Sequence, residues 1–313
     1  MFLILGGIFL GWALGSNDAA NVFGTGVASK IIKYRTAIIL ASIFVLIGAM
    51  AEGTGGIQTL GNLTSQTPVS ACIVSLTAGF TVAVMSTMKL PVSTSQAVVG
   101  SIIGMGLHRN AAEINWSGLI KIGICWVGTP LGAALIAFCL YPVLSWLLAR
   151  LKLNLITRSL VLRAGLIIGG SYGAYALGAN NVANVTGVFY QPGSEMFYSN
   201  IFILALIGGG SIALGILTFS KNVMSTVGSR LVQLDAFSAL VAVLAEAITV
   251  HIYAVVGVPV STSQAIVGAV LGIGLFKGVK TINRRTLFNI LFGWVCTPLF
   301  AGLICFLAGK IFL

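Results

Sequence analysis

Charge is what this sequence has least of. Of its 313 residues, 7% are charged and 58% are hydrophobic, where a soluble globular chain carries about 25% charge. That leaves too little polar surface to coat a water-soluble fold. No Gly-Lys-Ser or Gly-Lys-Thr phosphate loop occurs, so ATP-driven work within the chain is not expected. No nucleophile–base pair or metal-ligand cluster appears, which argues against an enzyme. Cysteines are few and odd in number: Cys72, Cys125, Cys139, Cys296 and Cys305. All five lie in apolar segments at spacings that fit no zinc site and no full disulfide set, so they read as small core- or lipid-facing residues. The first 15 residues lack the basic start of a signal peptide. A sequence like the one that follows them recurs later, so they belong to the fold.

What the chain does have is long apolar runs, with a mean hydropathy of +1.05. The runs reach about 20 residues, enough to span a bilayer as helices. Backbone groups in lipid must be satisfied internally, which leaves helices or a closed barrel. The runs are continuous rather than alternating, which excludes the barrel. The expectation is an all-α integral membrane protein, multi-pass in the cell membrane. The net charge of +11 does not point to nucleic acid, because the basic residues gather in short segments between apolar runs.

Three segments recur in order. Gly15 to Gly24 matches Gly178 to Gly187, Pro91 to Ala97 is identical to Pro259 to Ala265, and Trp126 to Leu131 matches Trp294 to Leu299. The offsets are 163, 168 and 168 residues. A seven-residue polar identity in register with two other matches is not chance similarity of greasy segments. The chain reads as two copies of one unit: residues 1–150, a basic cytoplasmic linker 151–163, and residues 164–313.

Charge sets the orientation. Residues 1–29 form one pass that ends at Lys30, Lys33 and Arg35, which places that end in the cytoplasm and the N-terminus outside. Residues 36–52 return to an outer loop, 53–67, without a basic residue. Residues 68–107 form a pair of segments around the Pro91 motif, and 116–149 cross inward to Arg150, Lys152, Arg158 and Arg163. The second copy then starts inside. Residues 164–189 run out to the loop with Glu195, and 200–219 run back to Lys221 and Arg230. The pair 236–276 ends at Lys277, Lys280, Arg284 and Arg285, and 287–311 end outside. This threading puts 13 of 17 basic residues in the cytoplasm, Lys89, Arg109, Lys121 and Lys310 being the exceptions. Segment 116–149 is long for one pass, and Pro130 and Pro142 are expected to kink it. The result is an inverted-topology two-fold repeat with broken transmembrane helices and two helical hairpins, the architecture of secondary transporters with a site near the midplane.

The polar motifs suggest two kinds of ligand. In Gly15 to Gly24, Asn17, Asp18 and Asn21 share one helix face. A carboxylate at the membrane centre costs about 2.5–3.5 kcal/mol even on the lenient insertion scale, and no Lys or Arg lies deep enough to pair with Asp18. An oxygen-ligand cation site answers that cost, and a polar cluster gluing helices together is the plainer alternative. Asn180, Asn181 and Asn184 repeat the pattern, with Asn181 where Asp18 stands. In the Pro-Val-Ser-Thr-Ser-Gln motif, proline ends one helix and Ser93 or Ser261 caps the next, which starts at Thr94 or Thr262. Helix N-termini offer free N–H groups and about half a positive charge. Two such tips from inverted halves, with the hydroxyls of Ser93, Thr94, Ser95, Ser261, Thr262 and Ser263, would cage a tetrahedral oxyanion; ordinary capping is the plainer reading of one copy alone. Gln96 and Gln264, one turn in, are placed to bridge anion and cation. No motif contains Lys or Arg, so the anion's charge must be offset by helix termini and co-bound cations, which predicts ion coupling.

Other polar residues are less telling. Glu52 reads as interfacial or as part of a cation vestibule, and Glu246, mid-segment, as a further cation or proton site. Lys89 either snorkels or draws anions in; His108 and His251 read as structural; Gly208 to Gly210 reads as close helix packing.

At Gly15 to Asn21, Gly178 to Asn184, Pro91 to Gln96 and Pro259 to Gln264 the chain resembles the inorganic phosphate transporter (PiT) family. The resemblance spans nearly the whole chain. It implies symport of inorganic phosphate with sodium ions or protons by an elevator-like or rocking motion. The phosphate set is then Ser93, Thr94, Ser95, Ser261, Thr262 and Ser263 with Asn21 and Asn184. The cation set is Asp18, Asn17, Asn21, Gln96, Asn180, Asn181, Asn184 and Gln264. Members of the family often carry an acid in both signatures, and Asn181 departs from that. Sodium-coupled phosphate symport leads. Proton-coupled transport of phosphate or metal–phosphate, a sulfate permease of the same fold, and a passive anion channel are the competitors. The Asp18 cluster argues against the channel, which needs no cation ligands. A homo-oligomer is left open.

Overall fold

The apolar runs fold as helices in the order that the hydropathy pattern predicts. A computed structural model describes residues 2–87, 92–194, 197–230, 234–278 and 284–313. Lys89, Pro91, Glu195 and Lys280 lie outside the described residues, as do the side chains of Arg230, Arg284 and Arg285. The helices are α1 (Leu5–Ala28), α2 (Tyr34–Glu52), α3 (Thr54–Gly61), α4 (Pro68–Thr87), α5 (Thr94–Arg109), α6 (Trp116–Arg150), α7 (Leu155–Thr186), α8 (Ile201–Arg230), α9 (Ala236–Val256), α10 (Thr262–Lys277) and α11 (Arg284–Phe312). Among the described residues there is no strand. Seven helices, α2, α4, α6, α7, α8, α9 and α11, are long and apolar enough to cross a membrane. Helix α1 stands apart because its middle is the polar run Gly15 to Gly24.

Two features go beyond the hydropathy reading. The long segment is one continuous helix of 35 residues, with Pro130 and Pro142 inside it. At 1.5 Å per residue it is about 50 Å long, so it overshoots a bilayer core of about 30 Å. The stretch expected as an outer loop holds α3. Glycine lets α3 lie flat on α7: a Cβ at Gly53 would fall 2.3 Å from Val182 Cγ1, and one at Gly56 would fall 2.8 Å from Ala183 Cβ.

The two halves interlock with reciprocal contacts. A Cβ at Gly15 of α1 would sit 2.0 Å from the Ile212 carbonyl oxygen of α8, and one at Gly178 of α7 would sit 2.0 Å from that of Val45 on α2. Likewise Gly100 of α5 lies against Pro298 of α11, and Gly268 of α10 against Pro130 of α6. Each helix thus docks on the partner's counterpart in the other half. Equivalent helices run antiparallel. Gly7 of α1 touches Phe189 beyond the end of α7, and Phe23 touches Gly170. In α2 and α8, Tyr34 meets Ser220, Ser42 meets the Ala213 carbonyl, and Ala49 meets Gly209.

Each hairpin has its own core. Val241, Val250, Ala265 and Val270 of α9 and α10 pack with Leu14, Phe23, Val45 and Leu177. Val74, Val82, Val98 and Ile102 of α4 and α5 pack with Leu10, Ile57, Val182 and Phe189. Helix α6 is perimeter: 11% of its apolar span is buried, against 61% for α9. Its exposed stripe of Ile120, Ile124, Val127, Leu131 and Leu135 suits lipid rather than water.

Candidate functional site

The helices after the two tips start as the serine pattern predicts. Ser93 and Ser261 sit in extended conformation and cap α5 and α10 by accepting the Gln96 and Gln264 N–H groups, each at 3.3 Å. The preceding first-turn N–H groups have no acceptor within the helix. Before the second tip, α9 ends at Gly257 in the left-handed region (φ 74°), a conformation that glycine adopts without strain.

The tips meet and exchange bonds. Ser95 Oγ donates to the Val260 carbonyl at 2.8 Å, and Ser263 Oγ donates to the Val92 carbonyl at 3.1 Å. These pairs are related by the 168-residue offset, so the two helix N-termini face each other across the junction of the halves. Ser93, Thr94, Ser95, Ser261 and Thr262 are buried, and Ser263 is partly exposed.

The two signature helices bring their amides to these tips. Asn21 of α1 donates to Thr262 Oγ1 at 3.3 Å, and that hydroxyl donates to Asp18 Oδ2 at 3.1 Å. Asn184 of α7 donates to Ser95 Oγ and to Asn181 Oδ1, both at 2.8 Å. Each signature helix therefore reaches the tip of the opposite half. Asn180 reaches its own: its amide donates to the Val258 carbonyl at 3.1 Å and accepts the Val260 N–H at 2.9 Å. Both ends of the Asn180 amide are thus engaged in holding the tip. Its counterpart Asn17 is partly exposed and donates to Asp18 Oδ1 at 3.1 Å.

Several buried groups in this cluster have no protein partner: Thr94 Oγ1, Gln96 Oε1, Gln264 Oε1, Asn181 Nδ2 and Asn184 Oδ1. Buried polar atoms are rarely left unpaired, and these five stand on the two tips and one signature helix. The carbonyl oxygens suit a cation. The hydroxyl, the amide N–H and the helix N-termini suit an anion.

Glu246 and Glu52 part company. Glu246 of α9 is fully buried beside Gly173 of α7, within electrostatic reach of Asp18. Glu52 lies away from the tips, bonded to His251 Nε2 at 2.7 Å. His251 Nδ1 meets the Tyr172 hydroxyl at 2.7 Å, and Tyr175 also bonds to Glu52. Sequence reasoning read Glu52 and His251 separately, because nothing in their spacing of 199 residues joins them.

Comparison with known proteins bears on what such a site serves. The model of the phosphate transporter family matches residues 14–305. The chain belongs to the phosphate transporter family. A provisionally named phosphate permease of Methanocaldococcus jannaschii is 33% identical over 303 residues, covering 96% of this chain and 94% of that protein. Another from Pyrococcus furiosus is 28% identical, covering 100% of this chain and 95% of that one. Among solved structures, one described as the sodium-dependent phosphate transporter superposes with a TM-score of 0.87 at 23% identity, each chain covered in full. That likeness establishes the fold: an all-helical membrane transporter architecture. The family is one of transporters and not of enzymes, and every motif that carried the resemblance lies in the matched region.

Proposed function

We propose that this chain is a cation-coupled symporter of inorganic phosphate, with sodium as the coupling ion, working by alternating access in the cell membrane with the start of α1 outside. The observation that carries the reading is the pair of serine-capped helix tips, cross-bonded between the halves beside unpaired buried acceptors and Asp18. The tips supply N–H and hydroxyl donors for a tetrahedral anion. Asp18, Asn17, Asn21, Asn181, Asn184, Gln96 and Gln264 supply oxygens for cations. In the described residues no Lys or Arg is buried, so an anion and its cations need each other in this site. Phosphate is favoured over sulfate because phosphate keeps a proton near neutral pH that Asp18 can accept in a hydrogen bond.

The inverted pairing of equivalent helices supports the mode of action. An antiparallel two-fold arrangement of halves can present the same site to either side by exchanging their conformations.

Uptake of labelled phosphate into proteoliposomes, with and without an inward sodium gradient and with excess sulfate, tests the reading. Uptake should follow the sodium gradient and resist sulfate. Uptake indifferent to every cation gradient would sink the symporter, and full competition by sulfate would move the substrate assignment.

A further inference from the structure

Glu246 stands out among the described residues as a buried acid without a partner. It is 0% exposed, and neither carboxylate oxygen has a hydrogen-bond partner. It sits mid-way along α9, which packs against α7, α10, α6 and α1. A Cβ at Gly173 of α7 would lie 3.4 Å from Glu246 Oε2 and 2.9 Å from Val22 Cγ1 of α1. The wall around the carboxylate is therefore glycine and aliphatic side chain.

The groups that face it leave its charge unanswered. From α1 the charged neighbour is Asp18, of the same sign. Tyr172 and Tyr175 of α7 and His251 of α9 belong to the Glu52 cluster. On α10, Lys277 is spent on Asp235 at 3.0 Å. On α6, Tyr141 packs edge-on against Phe237 and at a tilt against Phe276, while Cys125 lies near Tyr253. An ionised carboxylate in such a place is strongly unfavourable unless a positive charge joins it. A purely structural carboxyl would be expected to bond something, and this one bonds nothing. Its counterpart in the first half, by the 168-residue offset, is Ala78, also buried, so the packing does not require an acid.

We propose that Glu246 is a second cation site of the transport cycle, next to the Asp18 site and separate from it, which takes one monovalent cation, sodium or a proton, and carries that charge with the phosphate. The inference rests on the chain being a cation-coupled phosphate carrier. With two buried acids and no buried Lys or Arg among the described residues, the loaded carrier needs one cation for each acid before the anion is counted.

The test compares wild type with Glu246→Gln, which keeps the shape and removes the charge. Phosphate uptake and the charge moved per phosphate are measured in proteoliposomes at several sodium concentrations and pH values. The variant should still take up phosphate with the cation at Asp18, but move one positive charge fewer per phosphate. If sodium is the occupant, the steepness of the sodium dependence falls; if a proton is, the pH dependence of uptake is lost. A variant with unchanged charge per phosphate, sodium dependence and pH profile overturns the proposal while leaving the symporter intact. A wild type without cation-coupled uptake removes the symporter reading and this site with it. Should the Gln variant fail to insert, Glu246→Asp keeps the charge on a shorter arm. The site then predicts unchanged charge per phosphate with cation affinity weakened at least about tenfold, as for disturbed ligand shells. Unaltered cation dependence in that variant would contradict it.

Discussion

Gly15 presses on Ile212 and Gly178 presses on Val45 in the same way, yet three residues further on the two helices differ: Asp18 in one, Asn181 in the other. The same contrast recurs. Ser95 and Ser263 make matching bonds across the tips, but Asn180 clamps a tip while Asn17 turns to Asp18. Glu246 has the neutral Ala78 as its counterpart in the other half. Backbone packing has kept the two-fold relation, and charge has left it. Among the described residues, the two buried acids, Asp18 and Glu246, lie on α1 and α9, which are in contact. Hydroxyl donors at the tips come from both halves, but the buried formal negative charge of the described residues sits where α1 and α9 meet. In the proposed symport, a symmetric scaffold would serve alternating access, and one charged flank would serve the cations.

The comparison breaks most sharply at Asp18. Asp18→Asn makes the halves alike and removes the carboxylate that Thr262 and Asn17 serve. Removing one partner of a buried charged pair costs about 3–5 kcal/mol, so sodium-driven uptake should fall by about 100-fold or more. Labelled-phosphate uptake under a sodium gradient reads it, and near-normal sodium dependence would count against the cation site. Gly15→Ala and Gly178→Ala sharpen the symmetric side. Each drives a methyl into a backbone carbonyl at 2.0 Å, and each should destabilise by about 1–3 kcal/mol. Thermal unfolding in detergent should show the two losses equal, and a large inequality would mean that the halves pack differently.

Smaller effects follow at the tips and caps. Ser95→Ala loses bonds to Val260 and Asn184, whereas the partly exposed Ser263 bonds to Val92 and Ser261. Phosphate affinity should drop by about 1–3 kcal/mol for Ser95→Ala and by less for Ser263→Ala, as equilibrium binding would show. Asp235 caps α9, and its counterpart Thr67 caps the start of α4 with a neutral hydroxyl. Partial burial works against the Asp235 charge, but the Ser238 hydroxyl and N–H and the Lys277 ammonium outweigh it and hold the carboxyl at about 2, below its ordinary 3.8. A depressed carboxyl stabilises the fold above its unfolded value and stops doing so as pH falls through the folded one. The α9 cap should therefore weaken between about pH 4 and pH 2, by about 1 kcal/mol as for a lost N-cap. Hydrogen exchange of the first turn of α9 would show it, and Asp235→Asn should remove the pH step while the start of α4 shows none.

Much of this was legible in the residues. Continuous apolar runs and the repeated serine motif were enough to place the helices and the caps at Ser93 and Ser261, because each follows from a local rule that tertiary packing did not override. Helix α3 was not legible. Thr54, Gly55 and Gly56 read as a loop, and only the face of α7 makes a glycine helix worth forming. The Asn180 clamp and the Glu52–His251 pair escaped for another reason. Both join residues distant in sequence, and a polar side chain in an apolar run announces that it has a partner without saying which.

In the proposed symport, cations at Asp18 and an anion at the paired tips hold each other in place. The most direct test of this is equilibrium binding of phosphate to the purified protein as sodium is raised, in wild type and in Asp18→Asn. The account predicts that sodium tightens phosphate binding in wild type and does so far less in the variant. Phosphate affinity that ignores sodium in wild type, or that responds equally in both, would contradict it.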